Sequence, residues 1–327
     1  MFSFIRKHKH KNNKLLYYIK SIVRYYTPKW YCRKQLSKIL SRLETEDQAY
    51  ILKRLDYYNK LEETTPICQS ESIPLLDFTR KNQKKGSAYF FDTYEYTRYF
   101  PDYLRIVPLF GDITTIPHTP SITKSRPIEG NNANSVLLKL DKNRHFTFVK
   151  DTRKFIEKKN LLIGRACVKQ PHRIRFWEMY FNHPMCDLGQ INKSKEHPEW
   201  LVKPISIDEH LDYKFILCIE GFDVASNLKW VMSSNSLAVM PKPTYETWFM
   251  EGTLIPNYHY VCIKDDYSDL EERLTYYINH PDEAQAIIDH AHEYVAQFQN
   301  KKREDLISLL VLRKYFEKTG QKIISHL

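Results

Sequence analysis

Hydrophobic and polar positions alternate in two different ways along the chain. Through residues 1–62 they follow the period of helices, and residues 43–61 have the spacing of an amphipathic helix. Between residues 66 and 149, short apolar runs such as SAYFF and LRIVPLF are separated by polar turns, a pattern that suggests a first α/β domain. Residues 151–160 are charged and predicted to be helical, and residues 161–298 then alternate strand and helix patterns. The chain is therefore predicted to be α/β.

Two segments near the C-terminus have the clearest helix signals. Residues 281–298 begin with Pro followed by Asp and Glu, which suits a first helical turn. Residues 303–320 end in Gly320, a residue favoured just after a helix. Together with the patterns above, we therefore predict four parts: a basic helical segment (1–62), a first α/β domain (63–155), a second α/β domain (156–300) and a C-terminal helix that packs back (301–327).

A turn followed by a helix is predicted just after residue 219. Gly221 opens the turn, and Ser226, Asn227 and Lys229 lie at or near the start of the helix. The unpaired N–H groups and partial positive charge of a helix start suit an anion such as a diphosphate. This segment is therefore a candidate phosphate-binding site.

A buried strand and a second loop follow that helix. SLAVM, residues 236–240, carries no charge and predicts a strand buried on both faces. Two prolines end it, and Glu246 and Glu251 follow in a predicted loop at its carboxyl end. Because ligands in open α/β sheets bind at such ends, the whole stretch predicts half of a nucleotide-sugar site.

These blocks resemble glycosyltransferase family 90, and its bacterial lipopolysaccharide core branch most closely. The shared pattern is a glycine, a small-residue run with Ser, a basic residue on a helix and a Ser-Leu-Val-like strand, here Gly221, residues 225–226, Lys229 and residues 236–239. The likeness also takes in TKSRPI (123–128), IGRACVKQPHRIRF (163–176) and residues 258–274. In all it spans roughly residues 100 to 300. Asn227 is a departure, since many members have Arg there.

The resemblance implies a GT-B fold, in which two Rossmann-like domains face a cleft, here with a basic helical N-terminal segment and a crossing C-terminal helix. Residues 63–155 would then be the acceptor-side domain and residues 156–300 the nucleotide-sugar-binding domain. The resemblance also implies an inverting transfer of glucose or galactose from a UDP-sugar to a lipopolysaccharide core sugar. The sequence has no Asp-x-Asp triplet, the carboxylate cluster that usually holds a metal on a nucleotide diphosphate. We therefore expect no metal cofactor, and expect fixed cations and helix dipoles to stabilise the leaving UDP.

Several residues are predicted to bind the donor. In the family, the matching strand ends in a glycine, here Gly164, and a later Arg contacts the diphosphate. Arg173 is our match, but Arg175 would share its face on a strand, so both stay candidates. The other donor candidates, each with an ordinary structural alternative such as capping, salt bridging or a solvated face, are Gly221, Ser226, Asn227, Lys229, Glu246 and Glu251.

The acceptor side requires a base near the reacting hydroxyl. Asp112 follows an apolar run and lies where the animal branch of the family has a catalytic Asp ahead of its Ser-Lys block. His118 is the alternative base and acceptor contact. Lys124 and Arg126 would hold an acidic acceptor, or else keep their own loop in place.

The net charge of +11 is concentrated at the N-terminus. Residues 1–43 contain twelve Lys or Arg and no Asp or Glu, whereas the rest of the chain is nearly neutral. On a helix, Leu15, Ile19, Ile22 and Tyr26 form one apolar stripe, with Lys14, Lys20 and Arg24 mostly away from it. The pattern fits a helix lying on the anionic inner membrane surface, or one packed on the protein. No companion basic patch supports nucleic-acid binding.

Composition excludes other classes. The sequence has no apolar run of membrane-spanning length and no secretion signal, and its six scattered cysteines indicate a reducing compartment. We expect a peripheral enzyme on the cytoplasmic side of the inner membrane. Two alternatives stay open: a transferase of the same fold acting on protein or capsular polysaccharide, and a non-enzymatic membrane-surface binding protein.

Overall fold

The computed structural model describes residues 10–82 and 87–323. They divide into two compact units, each containing more than one stretch of chain. The sheet unit comprises residues 10–12, Arg144–Pro243 and Thr253–Gln297; the helix-rich unit comprises Asn13–Asn143, Thr244–Gly252 and residues 298–323. No helix in these described ranges is both long enough and apolar enough to cross a bilayer.

A five-stranded parallel sheet organises the sheet unit. With strands numbered in chain order, its members are β7 (Lys159–Ala166), β8 (Cys186–Gln190), β9 (Tyr213–Leu217), β10 (Leu237–Met240) and β12 (Val261–Cys262). Their order across the sheet is β12-β10-β9-β7-β8. All five residues of β9 and all four of β10 are buried, as expected when helices cover both faces. The predicted strand in SLAVM is thus confirmed.

Three long helices accompany this sheet: Pro171–Tyr180, Leu270–Asn279 and Pro281–Ala296. Pro lies in the first turn of the first and third, where its missing N–H costs nothing. Shorter helices span Lys142–His145, Ile207–His210 and Leu228–Val231. The core combines strand residues such as Phe215 and Val239 with helix residues such as Trp177.

Five helices build most of the helix-rich unit: Lys14–Tyr26, Lys29–Leu40, Gln48–Tyr58, Ser87–Thr97 and Lys301–Lys318. Its strands are β1 (Ile73–Pro74), β2 (Arg105–Ile106), β3 (Pro108–Leu109), β4 (Ser121–Thr123), β5 (Ser125–Pro127), β6 (Ser135–Leu137) and β11 (Tyr245–Thr247). β3, β4 and β6 form a parallel sheet, while β1-β2 and β11-β5 are antiparallel pairs.

The C-terminal helix predictions are confirmed. The helix predicted over 281–298 spans Pro281–Ala296, and the one predicted over 303–320 spans Lys301–Lys318. Gly320 follows the second with a φ of +75°, a left-handed conformation that glycine adopts without strain. Local signals were sufficient here because both ends of each helix are marked in the sequence.

One other segment differs from the pattern-based prediction. Residues 151–160 are not a helix: only Phe155–Glu157 makes a 3₁₀ turn, and β7 begins at Lys159. The buried Lys158 Nζ instead bonds Asp151 at 2.6 Å and Ser236 Oγ at 2.7 Å, contacts that hold this stretch against β10. The apolar run SAYFF, for which the sequence indicated neither helix nor strand, begins the helix Ser87–Thr97.

The first described helix exposes the apolar stripe predicted from the sequence. Leu15 and Tyr26 are 71% and 77% exposed, and Ile19 and Ile22 are exposed as well. The other face holds the helix in place: Tyr17 donates to Asp92 at 2.8 Å and Arg24 pairs with Glu95 at 3.0 Å. Much of the stripe is therefore exposed in the described protein. Residues 1–9 of the basic segment lie outside the described residues.

Candidate active site

The strand order of the sheet unit has a switch point at β7 and β9. β8, which follows β7 in the chain, lies on one side of it, while β9 lies on the other side. The loops after β7 and β9 therefore diverge at the carboxyl edge of the sheet. In open parallel sheets, ligands bind in the crevice at this position.

Arg173 lies at that switch point. It is in the first turn of the helix Pro171–Tyr180, and its guanidinium donates to three backbone carbonyls. Nη1 bonds the carbonyl of Cys167, just after β7, at 2.9 Å. Nη2 and Nε bond the carbonyls of Ile219 and Glu220, just after β9, at 2.9 and 2.8 Å. One cation therefore bridges the ends of both strands.

The charge of Arg173 is not neutralised by an anion. Its partners are neutral carbonyls, and within residues 10–82 and 87–323 it forms no ion pair. A guanidinium has five N–H donors, so two remain for a ligand. Burial lowers the pKa of Arg173, and the nearby charge of Arg144 lowers it further. An arginine side chain nevertheless stays protonated in proteins.

Gly221 and Gly164 give the site its shape in different ways. A Cβ on Gly221 would lie 3.3 Å from Arg173 Nη2, so glycine leaves room beside the guanidinium. A Cβ on Gly164 would lie 2.8 Å from Leu188 and 3.1 Å from Leu217, both on neighbouring strands. Gly164 therefore permits close packing inside the sheet beneath the site.

The predicted helix start at residues 226–229 is a single turn, Leu228–Val231. Asn227 precedes it, and its Nδ2 donates to the carbonyl of Leu217 at 2.9 Å, which ties this segment to the end of β9. Ser226 is half-buried and its hydroxyl forms no hydrogen bond within the described chain. Lys229 is fully buried, 6.0 Å from the ring of Phe146, rather than on a solvated face.

Arg175 and Arg173 do not share a face. The expectation of a strand here is wrong, because both lie on the helix Pro171–Tyr180. Residues two apart on a helix point in nearly opposite directions. Arg175 is exposed, whereas Arg173 is half-buried against the ends of β7 and β9. The helix thus decides between two arginines that the sequence left open.

Glu246 and Glu251 lie in the helix-rich unit, apart from the strand that precedes them in sequence. Glu246 is on β11 instead of in a loop, directly opposite Arg126 on β5. Both side chains are buried, and Arg126 Nε donates to Glu246 at 2.7 Å. Glu251 accepts from the backbone N–H of Thr247 at 2.6 Å. These contacts stabilise the fold of this unit.

Arg126 is saturated by protein contacts. Besides Glu246, its guanidinium donates to the carbonyls of Tyr57 at 2.6 Å and Ser135 at 3.1 Å. No part of the side chain is exposed. This geometry matches the alternative in which Arg126 keeps its own loop in place.

Asp112 and Lys124 form a pair at the edge of the helix-rich unit. Lys124 Nζ donates to Asp112 Oδ1 at 2.5 Å, and the lysine is only 2% exposed while the aspartate is 33% exposed. Ser125 Oγ accepts from the backbone N–H of Ile113 at 3.2 Å, which holds the same loop. A buried cation therefore orients a carboxylate whose other oxygen has no hydrogen bond among the described residues.

The contact that His118 makes is with Glu71, not with Asp112. Its side chain is 73% exposed and its Nε2 lies 3.1 Å from Glu71 Oε1. Cys68 completes a small cluster with these two residues. Within the described residues, His118 makes no hydrogen bond or ion pair with Asp112 or Lys124.

Sequence reasoning overlooked Arg144. Its charge acts on Arg173, so a second cation lies near the switch point. The only signal was the basic run at residues 142–145, KNRH, which lies outside the motif blocks. Their proximity depends on the tertiary fold, because 29 residues separate the two arginines.

In open parallel sheets ligands bind at such a switch point, and Arg173 places a cation there that has no anionic partner in the described chain. The model of the family "Glycosyl transferase family 90" matches residues 138–316. The chain is also 42% identical over 292 residues to O-glucosyltransferase LpsA of Dichelobacter nodosus, an alignment that covers 88% of this chain and 90% of that protein. The chain therefore belongs to glycosyl transferase family 90 and is a glycosyltransferase.

Proposed function

We propose that this glycosyltransferase moves a hexose from a UDP-sugar to a core sugar of lipopolysaccharide, with inversion and without a metal cofactor. The similar protein from Dichelobacter nodosus is named an O-glucosyltransferase, so we favour glucose over galactose. The observation that carries the proposal is Arg173, a cation at the switch point without a carboxylate partner in the described chain.

Arg173 would bind the donor diphosphate. A unit charge about 4 Å from a phosphate oxygen contributes about 4 kcal/mol at an effective dielectric constant of about 20. Negative charge grows on the diphosphate as the bond to the sugar breaks, so this contact strengthens in the transition state. Ser226 could donate a hydrogen bond from the adjoining segment. Together these groups would do what a metal does in other transferases.

Asp112 would act as the base. Its free oxygen would accept the proton of the acceptor hydroxyl as that oxygen forms a bond to the anomeric carbon on the face opposite UDP. Lys124 would hold the carboxylate in one orientation through the bond to Oδ1. The GT-B architecture, with the donor bound by the sheet unit and the acceptor by the helix-rich unit, is part of this proposal and rests on the family.

The exposed stripe on the helix Lys14–Tyr26 supports a location of the enzyme at the cytoplasmic face of the inner membrane. Its apolar side chains are exposed in the described protein, and Lys14 and Lys20 beside them have no ion-pair partner there. An amphipathic basic helix of this kind lies in the interface of an anionic bilayer. The acceptor lipid is anchored in the same bilayer, so binding there would bring enzyme and acceptor together.

Asn227 in place of the family Arg had suggested a protein without donor binding. Its amide instead bonds the end of β9, and the two remaining N–H groups of Arg173 provide phosphate donors without residue 227. This geometry favours an active enzyme over a non-enzymatic binding protein.

A thermal-shift experiment tests the proposal. The purified protein would be heated with UDP, GDP, CMP or ADP, with and without EDTA. We expect a rise in melting temperature that is selective for UDP and unaffected by EDTA, because a ligand that binds only the folded state stabilises it. The absence of any nucleotide effect would contradict donor binding, and a shift that required metal would contradict the mechanism.

A further inference from the structure

We propose that Cys68, Glu71 and His118 form a zinc-binding site in the helix-rich unit. One ligand atom from each residue lies within 4.8 Å of the other two. His118 Nε2 and Glu71 Oε1 are already 3.1 Å apart. The site is independent of the reaction as proposed above, which uses Asp112 as the base and gives no role to His118, the alternative base considered from the sequence.

The spacing of these atoms suits a tetrahedral ion. Zinc binds sulfur at about 2.3 Å and nitrogen or oxygen at about 2.0 to 2.2 Å, so ligand atoms around it are about 3.3 to 3.6 Å apart. The His118–Glu71 separation is close to this value. The Cys68 sulfur lies within 4.8 Å of both of these atoms.

Backbone contacts hold Cys68 and Glu71 in place. The N–H of Cys68 donates to Thr119 Oγ1 at 3.0 Å, which joins it to the residue after His118. The carbonyl of Cys68 accepts from the N–H groups of Ser72 at 3.1 Å and Glu71 at 3.3 Å. This turn brings Glu71 back beside Cys68.

Both loops are anchored to the rest of the unit. Arg105 donates to Ser72 Oγ and to the Ser72 carbonyl, each at 2.8 Å, and so holds the first turn. His118 lies between two restricted positions, Pro117 and Thr119-Pro120, and Asn134 Nδ2 donates to the Pro117 carbonyl at 3.1 Å. The ligands therefore extend from backbone that is already ordered, which lowers the cost of binding.

The donor set selects zinc over the common hard cations. Magnesium and calcium prefer oxygen ligands alone, whereas a thiolate, an imidazole and a carboxylate together suit zinc. The two anionic ligands neutralise the ion, and three protein ligands leave a fourth position for water. Ser70 Oγ lies 3.1 Å from Cys68 Sγ and could hydrogen-bond the bound sulfur.

The test is a metal titration of the full-length, metal-stripped protein. Cobalt should bind with one equivalent and produce a thiolate-to-cobalt charge-transfer band, and zinc should abolish that band by displacing it. Loss of one outer hydrogen bond typically costs about 10- to 100-fold in metal affinity, so Cys68→Ser and His118→Gln should each lower zinc affinity at least about tenfold. Affinity should fall with falling pH, because thiol and imidazole must lose protons.

Cys262→Ser is the matched control, since Cys262 is half-buried in the other unit and should leave zinc affinity unchanged. Circular dichroism would establish that each variant is folded. A wild-type protein without the charge-transfer band, or variants at Cys68 and His118 that bind zinc as tightly as wild type, would overturn the proposal. The UDP-induced shift should persist in Cys68→Ser, which separates this result from the test of the transferase.

Discussion

Arg173 and Arg126 are both arginines from motif blocks, yet their surroundings give them opposite uses. Arg126 is fully buried and paired with the buried Glu246 at 2.7 Å. Arg173 is held by three carbonyls at the switch point and keeps two donors for a ligand. In a buried ion pair each charge is neutralised by the other, whereas a cation that is hydrogen-bonded only to neutral groups can still attract an anion.

The Asp112–Lys124 pair lies between these extremes. Lys124 is as buried as Arg126, but the carboxylate it bonds is one-third exposed. One oxygen is used for orientation and the other stays available. The comparison teaches that the exposed member of a pair is the one to consider for chemistry.

The largest effect should come from Asp112→Asn. An amide cannot accept the acceptor proton, so we expect transfer to fall by about 10²- to 10⁴-fold, while UDP binding stays intact. Turnover measured with UDP-glucose, together with the UDP-induced thermal shift, checks both parts. Asp77→Asn, at an exposed position in the same unit, is the control. Unchanged turnover in Asp112→Asn would show that Asp112 is not the base.

Breaking the buried pair should be the largest effect on stability. Arg126→Met leaves Glu246 buried without its cation, which should lower the free energy of unfolding by about 3–5 kcal/mol. Replacing both residues with Met should recover much of that loss. Chemical denaturation measures these changes. Arg313→Met, which breaks an exposed pair with Glu317, should cost about 1 kcal/mol or less. Equal losses at both sites would break the comparison.

Arg173→Ala should weaken UDP binding, and circular dichroism should first establish that the variant is folded, because the substitution also removes three hydrogen bonds to backbone carbonyls. Hydrogen bonds to charged groups contribute about 1.5–3 kcal/mol, so we expect UDP affinity to fall roughly 10- to 150-fold. Calorimetric titration with UDP measures this directly. Arg175→Ala, on the other side of the same helix, should bind UDP like wild type. If the two variants were indistinguishable, the proposed donor site would be wrong.

The smallest effect concerns the membrane. Lys20→Gln removes one unpaired charge beside the apolar stripe and should weaken binding to anionic vesicles by about 1 kcal/mol, close to fivefold. Co-sedimentation with phosphatidylglycerol vesicles would show it, with neutral phosphatidylcholine vesicles for comparison. Lys302→Gln changes the net charge equally on an exposed site of another helix and should have little effect. Equal binding to both lipids would argue against the membrane proposal.

Local sequence signals were reliable where the residues of an element are sufficient to mark its type and its ends. The uncharged SLAVM strand and the helices with marked ends all form as predicted. The helix prediction for residues 151–160 was wrong because Lys158 bonds Asp151 across a segment that is not α-helical, a contact that helical propensity does not describe. The run SAYFF indicated neither helix nor strand, because a short apolar run has no period of its own, and it begins a helix that continues through Tyr94 and Thr97.

The candidate site was only partly predicted from the sequence, because local signals do not describe contacts between distant segments. Arg173, Gly221 and Asn227 do meet near the end of β9, since they follow strands that the sequence placed. Glu246 and Glu251 belong to the other unit, because the chain leaves the sheet unit after Pro243 and returns at Thr253. A crossing of this kind depends on long-range packing, to which periodicity is insensitive.

The sequence by itself determined the α/β class, the buried strand β10, the family and the basic N-terminal segment, because composition, local periodicity and motif order are properties of neighbouring residues. Only the tertiary structure decided which arginine faces the switch point, which cations are neutralised, and which face of the N-terminal helix is exposed. Those properties depend on partners that lie dozens to hundreds of residues away in the chain. Charge compensation and burial are pairwise quantities, and only the fold brings the pairs together.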